Sequence, residues 1–333
     1  MKFEMKVVFI AEAGVNHNGS LKIAKKLINA AKKANADYVK FQSFDYSKLA
    51  TKNAKKANYQ KIGSRKNESQ QEMLKKLQLS HSTQKKIIAY CKKKKIKFLS
   101  TAFDKENLDF LLKNKLDYIK IPSGEITNYP FLKYISKQKK KILLSTGAST
   151  FKEVELARKV LKNKNLLTIL QCTSSYPTPI KELNLKTIET FKKKFNCDVG
   201  LSDHSLSINS PLAAVALGAK VIEKHFTLDR KMKGPDHKSS LEPDELKQLV
   251  NNIRELELAL GSKIKLVTKS EKINRKIIRR SIVASKKINK GEKFTLNNLT
   301  FKRPAYGLSP FEIKKVLGKI SKKNFKTDDV IKL

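Results

Sequence analysis

The sequence predicts an α/β fold, a (β/α)₈ TIM barrel followed by a small β-rich domain. Eight short runs of β-forming residues occur in the first two-thirds of the 333-residue chain, and most segments between them have the apolar spacing of amphipathic helices. The runs end in polar side chains, which a closed barrel would gather at one mouth. A doubly wound open sheet is the alternative, but a shared mouth accounts better for eight polar strand ends.

The predicted strands alternate with predicted helices along about 230 residues. The strands are residues 7–13, 38–43, 98–101, 118–123, 142–146, 167–173, 199–203 and 221–225. Residues 21–34 illustrate the helices, since their apolar positions recur at helical spacing and their lysines lie on the other face. A last barrel helix spans residues 243–260 and ends at Gly261, a residue that commonly terminates helices.

The domain boundaries follow from changes in charge and in the periodicity of apolar residues along the sequence. Residues 1–261 form the predicted barrel, and residues 262–280, which are charged and lack periodicity, are predicted to be a linker. Residues 281–333 alternate apolar and polar side chains around a Lys-Gly-Glu turn, which is typical of a β-rich domain. A domain of this size is near the lower limit for a stable core, so we expect it to pack on another surface.

The composition restricts the function classes and the location. The net charge is +42, but only eight of the 72 basic residues are arginine, and the lysines are spread along the chain. We therefore expect solvated surface charge and neither a nucleic-acid nor a membrane partner. No apolar run approaches the ~20 residues of a membrane span, the first residues lack signal-peptide features, and Cys91, Cys172 and Cys197 form no CxxC pair. These features predict a cytoplasmic protein.

Two histidines lie at the ends of consecutive predicted strands. His204 follows the seventh strand and His225 ends the eighth, and the helix-length segment between them makes these strands parallel neighbours about 4.8 Å apart. Imidazoles at the same end of adjacent strands can reach one divalent ion, although a hydrogen-bonded pair is the alternative. Two His ligands without Cys predict an open, catalytic site for Mn, Fe or Zn.

Two lysines, Lys40 and Lys120, lie near the ends of the second and fourth predicted strands with apolar neighbours. Together with strand-end hydroxyl groups they predict an anion site suited to phosphate. Glu12, Glu125 and Asp236 are the candidates for acid/base chemistry or for binding sugar hydroxyls. A metal-free aldolase that forms a Schiff base on Lys40 or Lys120 stays open as an alternative.

The longest gap between predicted strands runs from residue 44 to residue 96. It holds a polar, irregular stretch before a helix that begins near residue 70. Two interpretations remain open, an extended loop that covers the barrel mouth as a lid, and a disordered surface insertion.

Several motifs resemble, in order, those of the bacterial N-acetylneuraminate (sialic acid) synthase family. The motifs are IAEAGVNHNGS, VKFQSF, FLSTAFD, IKIPSGEITNYP, ILLSTG, CTSSYPTP, GLSDHS, VIEKHFTLD and GPDHKSSL. The stretch SIVASKKINKGEKFTLNNLTFKRPAYG resembles the family's antifreeze-like (SAF) domain. The resemblance implies condensation of phosphoenolpyruvate with N-acetylmannosamine and water to give N-acetylneuraminate and phosphate. The alternative sugar is 2,4-diacetamido-2,4,6-trideoxymannose, which would give legionaminate.

The resemblance also implies roles for individual residues. His204 and His225 would bind Mn²⁺, with Mg²⁺ or Co²⁺ as alternatives, and Glu125 would lie near the reacting carbons. Phosphoenolpyruvate would be held by Lys40, Thr101, Lys120, Ser123, Ser145 and Ser202, and the sugar by Glu12, Gln42, Ser174, Tyr176 and Asp236. Arg303 would reach the sugar's acyl group from the partner subunit of a domain-swapped homodimer. The chain departs from the family pattern at Ser174 and at Tyr306, both near the expected sugar pocket.

Overall fold

The computed structural model describes residues 6–61, 68–162 and 166–332, and the chain divides into two compact units, Met1–Gly261 and Ser262–Leu333. In the first unit, eight parallel strands close into a barrel in sequence order. They are β1 (Val8–Gly14), β2 (Tyr38–Ser43), β3 (Lys97–Ala102), β4 (Tyr118–Ile121), β5 (Lys141–Ser145), β6 (Leu167–Cys172), β7 (Asp198–Asp203) and β8 (Val221–His225). The predicted barrel is confirmed, and each predicted strand lies within two residues of an observed one.

Helices alternate with the strands and surround the barrel. In the first unit they are α1 (Leu21–Lys33), α2 (Tyr46–Leu49), α3 (Asn58–Lys61), α4 (Gln70–Leu77), α5 (His81–Lys94), α6 (Lys105–Lys113), α7 (Tyr129–Ser136), α8 (Phe151–Leu161), α9 (Thr187–Phe195), α10 (Asn209–Ala216) and α11 (Pro243–Leu260). Apart from those of α2, α3 and α4, their apolar faces are buried in one core together with both faces of most strands, which is the expected pattern for a parallel sheet covered by helices. None of the helices in the described ranges combines the length and apolar composition that crossing a bilayer requires.

A long excursion between β2 and β3 carries α2, α3, α4 and α5; we call residues 44–80 the covering segment. Ser69 and Glu72 form a reciprocal cap that starts α4. The end of α4 approaches the loop after β1 closely, because a Cβ on Gly19, where φ is +73°, would lie 2.6 Å from the carbonyl oxygen of Lys76. Glycine at this position therefore allows α4 to dock on the barrel. Residues 62–67 of the predicted lid lie outside the described residues.

The second unit has its own small core. Strands β9 (Ser281–Ala284) and β10 (Leu299–Lys302) pair in an antiparallel sheet, and α13 spans Ile313–Val316. Eight buried apolar residues pack together in this unit, among them Ile282, Phe294 and Phe325. The small β-rich C-terminal region predicted from the sequence is confirmed.

The stretch predicted to be a linker contains a helix that its charged sequence did not indicate. Helix α12 spans Lys269–Ile278 within residues 262–280. Thr268 and Glu271 cap its first turn reciprocally, which satisfies backbone donors that would otherwise need water. The many charged residues obscured this helix because its apolar positions are few and remain exposed.

Candidate active site

A cavity of about 500 Å³ opens at the carboxyl ends of the barrel strands. It is lined by all of the predicted site residues except Glu125 and Arg303, namely Glu12, Lys40, Gln42, Thr101, Lys120, Ser123, Ser145, Ser174, Tyr176, Ser202, His204, His225 and Asp236. The carboxyl end of a barrel is where enzymes of this architecture place their chemistry. The structure therefore brings together residues that the sequence separates by more than 200 positions.

The floor of the cavity is a buried cluster of charges that we call the lysine cluster, Glu12, Lys40, Lys120 and Glu223. Glu223 lies between the two lysines, with its Oε1 2.9 Å from Lys120 Nζ and its Oε2 3.6 Å from Lys40 Nζ. Lys40 Nζ is also 2.8 Å from Glu12 Oε2 and donates a hydrogen bond to Thr101 Oγ1 at 2.8 Å. Both lysines are therefore held in place by groups on three strands, β1, β3 and β8.

The electrostatics of this cluster follow from burial competing with the lysine charges. Burial raises the pKa of Glu12 to about 7, against the opposing effect of Lys40. Burial alone would also raise the pKa of Glu223, but Lys120 and Lys40 outweigh it and hold that pKa well below its usual range. Burial would lower the pKa of Lys40, yet the two carboxylates outweigh it and raise that pKa. Near neutral pH the floor thus holds charged Lys40, ionised Glu223, and a carboxyl that exchanges protons readily.

The two predicted histidines lie side by side at the mouth, with ring centroids 5.2 Å apart. His204 Nδ1 donates a hydrogen bond to the carbonyl oxygen of Thr173 at 2.8 Å, and its Nε2 lies 3.0 Å from the Tyr176 hydroxyl. Within the part of the chain that the structure describes, His225 Nδ1 is buried without a hydrogen-bond partner, and Asp236 Oδ2 lies 3.9 Å from it. Burial and then the neighbouring His204 lower the pKa of His225 well below its ordinary value, so this ring is neutral.

These donors fit a divalent ion. A neutral imidazole with an unused buried nitrogen, a second imidazole whose Nε2 faces the Tyr176 hydroxyl and a nearby carboxylate are the ligand types that Mn²⁺ and similar ions accept. Among the described residues, no group of three or more His, Cys, Asp or Glu side chains is already arranged to hold a metal. Two imidazoles alone would leave coordination positions for substrate oxygen or water, as in catalytic sites.

Aromatic rings connect the covering segment to the histidines. Tyr59, on α3, stacks on Tyr176 with ring centroids 4.7 Å apart, and Tyr176 stacks on His204 at 4.1 Å. Besides Tyr59, residues of the covering segment that line the cavity are Leu49, Gln60, Gln70, Met73, Leu74 and Leu77. The described part of this segment therefore covers one side of the mouth; its movement as a lid stays a prediction.

Two predicted site residues lie elsewhere. Glu125 follows β4 in a short turn, outside the cavity lining formed by the described residues, and its Oε2 accepts a hydrogen bond from Asn128 Nδ2 at 2.6 Å. Burial raises the pKa of Glu125. Arg303 is an exposed residue of the second unit, directly after β10.

Sequence reasoning missed several residues of the cavity, among them Glu223, Cys172 and Tyr59. Glu223 is two positions before His225 on β8, so strand alternation would have placed both side chains on the same face. Cys172, at the end of β6, has its Sγ 3.9 Å from His204 Nδ1 and 3.6 Å from Ser123 Oγ. Tyr59 had no such signal, because it belongs to the covering segment and reaches the site only through the three-dimensional fold.

Comparisons with known proteins agree with this geometry. A family model described as the NeuB family matches residues 27–265, and one described as the SAF domain matches residues 279–333. The chain is 52% identical to N,N'-diacetyllegionaminic acid synthase of Campylobacter jejuni, over 98% of this chain and 99% of that protein. It is 42% identical to the protein of the same name from Legionella pneumophila, over 94% and 90%. A crystal structure of N-acetylneuraminic acid synthetase from Leptospira borgpetersenii superposes with a TM-score of 0.71 at 33% identity, covering 81% of this chain and 90% of that chain.

Proposed function

Because the chain belongs to the NeuB family and carries a SAF domain, we propose that it condenses phosphoenolpyruvate, a 2,4-diacetamido-2,4,6-trideoxymannose and water into N,N'-diacetyllegionaminate and phosphate. The sequence alone favoured N-acetylmannosamine as the sugar. The similarity to two proteins named N,N'-diacetyllegionaminic acid synthase favours the trideoxy sugar instead. N-acetylmannosamine remains the second candidate, on the likeness to the Leptospira synthetase.

The observation that carries the proposal is the lysine cluster. Lys40 and Lys120 are at most 4% exposed and line a cavity, and their partners among the residues described are carboxylates and a hydroxyl. An entering phosphate and carboxylate would replace these internal acceptors, so the bound anion gains two charge-assisted contacts at a site already desolvated. Thr101 and Ser202 lie within hydrogen-bond distance of the same cluster and would add hydroxyl donors.

The proposed reaction forms a carbon–carbon bond and breaks a carbon–oxygen bond. The methylene carbon of phosphoenolpyruvate attacks the aldehyde carbon of the open-chain sugar, and the aldehyde oxygen takes up a proton to become a hydroxyl. Water adds to the oxocarbenium-like carbon that remains, and loss of phosphate leaves a keto group. Lys40 and Lys120 would stabilise the anionic phosphate and carboxylate through these steps. Glu12, whose pKa of about 7 populates both protonation states, is suited to exchange the required proton.

The two imidazoles complete the proposed site. His204 and His225 would hold a divalent ion, best Mn²⁺ with Mg²⁺ or Co²⁺ as alternatives, and a bound ion supplies Lewis-acid polarisation of the aldehyde. The hydrogen bond between His204 Nδ1 and Thr173 fixes the ring that would face the sugar. The ion pairs around Lys40 and Lys120 argue against a Schiff-base aldolase, since the nucleophile of that mechanism is a neutral amine.

Phosphate release tests the proposal. Purified protein is given phosphoenolpyruvate and Mn²⁺ with either the diacetamido trideoxy sugar or N-acetylmannosamine, and each reaction is repeated with EDTA. We expect EDTA-sensitive release that is faster with the trideoxy sugar. Release that ignores EDTA would contradict the metal site at His204 and His225, and no release with either sugar would contradict the proposed reaction.

We also propose that the active form is a homodimer in which Arg303 of one subunit serves the cavity of the other. Within residues 264–278 of the second unit, five apolar residues are more than half exposed, Ile264, Leu266, Ile273, Ile277 and Ile278. An apolar surface of this kind on a charged segment is expected where another protein surface packs. Arg303 is exposed and could bind an acyl carbonyl.

Subunit complementation tests this arrangement. Lys120→Met and Arg303→Ala each remove one part of the site, so the separate variants should be inactive or weak. Mixed after subunit exchange, they would regain activity only if Lys120 and Arg303 of one site come from different subunits. A mixture no more active than its components, together with a monomeric mass in solution, would contradict the proposed dimer.

A further inference from the structure

The cavity has one apolar side, which the lysine cluster and histidines do not use. Val15, Leu49, Met73, Leu74, Leu77 and Phe103 all line it, and we call them the apolar wall. We propose that the apolar wall receives the C6 methyl group of a 6-deoxy sugar and selects it against a 6-hydroxy sugar. This inference rests on the proposed function and names the feature of the sugar that the site recognises.

The apolar wall belongs to a hydrophobic cluster that is separate from the barrel core. The cluster holds the six wall residues and Phe44, and Phe44 is its one member that does not line the cavity. If the cluster served only to dock α4, its side chains would point at one another and at the barrel. Instead most of them are shared between the cluster and the cavity, and Leu49, Leu74 and Phe103 are only partly buried.

The position of the apolar wall complements the rest of the site. It is built on the loops after β1 and β3 and on the covering segment, whereas His204, His225 and Asp236 lie on or after β7 and β8. An open-chain sugar whose aldehyde lies at the histidines must extend its other end toward another part of this single cavity. The apolar wall offers that end no strong hydrogen-bond donor or acceptor, since its side chains are hydrocarbons and one thioether.

Gln60, a polar residue of the covering segment that lines the cavity, is already engaged. Gln60 Oε1 accepts from the backbone of Ala57 at 3.0 Å and from Gln70 Nε2 at 3.4 Å, and Gln60 Nε2 donates to the Tyr59 hydroxyl at 3.3 Å. A sugar hydroxyl at the apolar wall would therefore lose its water without a ready replacement, whereas a methyl group would gain apolar contact. Apolar pockets that discriminate by one such group do so by roughly 10–200-fold.

The test uses two sugars that differ at one atom, N-acetylmannosamine and its 6-deoxy analogue. The ratio of their kcat/KM values isolates the C6 position, and the diacetamido trideoxy sugar is assayed in parallel. We expect the unmodified protein to prefer the 6-deoxy analogue by at least tenfold. Leu74→Gln, which adds an amide at a partly buried position of α4, should reduce this preference to about threefold or less without changing the KM for phosphoenolpyruvate.

Two further variants separate recognition from packing. Leu49→Gln changes the apolar wall from another part of the covering segment and should lower the same ratio. Phe44→Leu weakens the cluster without touching the cavity, so it should lower the melting temperature and leave the ratio unchanged. Equal kcat/KM for the two analogues in the unmodified protein, or wall variants that slow both sugars in parallel, would overturn the inference. Absence of phosphate release with all three sugars would instead overturn the proposed function.

Discussion

Two adjacent residues of β8, Glu223 and Lys224, are both buried and both ion-paired, yet they lie in different environments. Lys224 faces away from the cavity and is fully enclosed; its Nζ lies 2.7 Å from Asp203 Oδ2, 2.6 Å from the carbonyl oxygen of Ser205 and 3.1 Å from that of Ser207. All three ammonium donors are therefore used within the fold. This pair fixes the loop that follows β7 to the neighbouring strand.

Glu223 differs because its surroundings leave capacity for a ligand. Its Oε1 accepts from Lys120 and Ser202, but its Oε2 is buried, has no hydrogen-bond partner within residues 6–61, 68–162 and 166–332, and lies 3.6 Å from Lys40. The same lysines line an open cavity. A buried charged group whose hydrogen bonds are all made within the protein thus stabilises the fold. A buried charged group that keeps unused hydrogen-bonding capacity beside a cavity is suited to bind a ligand.

The largest expected effect comes from removing a lysine of the cluster. Lys120→Met should lower kcat/KM for phosphoenolpyruvate by about 10³-fold, equivalent to about 4 kcal/mol. The departing phosphate and the substrate carboxylate would lose a charged hydrogen-bond donor. The melting temperature should change little, since Glu223 keeps Ser202 and Lys40 nearby and water can enter the cavity. Steady-state phosphate release and thermal unfolding of the same preparation measure both quantities. A variant that unfolds but keeps its rate when folded would contradict the assignment.

Removing the charge of Lys224 on β8 should lower the stability of the protein and change its rate little, the opposite of Lys120→Met. Lys224→Met leaves Asp203 buried and unpaired, which typically costs about 3 kcal/mol or more of stability. Chemical denaturation should show this loss, while the rate per folded molecule stays within tenfold. The double variant Asp203→Leu with Lys224→Met should recover much of the stability, because apolar replacements of a buried pair are often neutral. No loss in the single variant would count against the pair's structural role.

A pH effect of intermediate size is expected from His17, a buried ring behind the site. Burial, and then the charge of His237, lowers the pKa of His17 to about 4. The unfolded chain binds a proton near pH 6.5 that the folded protein does not, so stability should fall as the pH falls below 6.5. His17→Asn keeps an acceptor for the Gly19 amide and should reduce the loss by about 2 kcal/mol at pH 5. Parallel stability curves for the two proteins from pH 7 to 5 would contradict this.

The smallest effect is expected from exposed ion pairs, a third kind of charged group beside the two buried kinds compared above. Lys105 and Asp109 are one helical turn apart on α6, with Nζ and Oδ2 2.7 Å apart, and Lys105 is more than half exposed. Lys105→Ala should change the free energy of unfolding by less than about 0.5 kcal/mol, and less still in high salt. Urea titrations at two salt concentrations measure it. A larger, salt-independent loss would show that surface lysines contribute more than their exposure implies.

The sequence predicted the barrel well because strand and helix periodicities are local properties. Polar strand ends such as those of β2, β4, β7 and β8 needed only the topology rule to be gathered at one mouth. Glu223 could have been predicted from alternation with His225. The position of Glu125 near the reacting carbons stays a prediction, and its side chain lies outside the cavity lining that the described residues form. The motif around Glu125 did not reveal that the chain turns after β4, nor that the Glu125 carboxylate accepts a hydrogen bond from Asn128.

Other features could not be predicted because they depend on distant contacts. The partners of Lys224 come from a different strand and from backbone carbonyls, which carry no sequence signal. The apolar wall combines residues from two barrel loops with α2 and α4, and no single stretch shows that they share a cluster. Helix α12 was missed because its charged composition hides a weak apolar pattern.

The central claim, that the lysine cluster is the anion site, is tested most directly by thermal unfolding with phosphoenolpyruvate. Melting temperatures are measured with Mn²⁺ and without sugar for the unmodified protein, Lys120→Met and Lys224→Met. A ligand at 100 times its Kd stabilises a protein by about 2.7 kcal/mol, so we expect a clear rise for the unmodified protein and for Lys224→Met, starting from its lower value. Lys120→Met should show no rise at the same concentration. An equal rise in Lys120→Met would place the anion elsewhere and contradict the account.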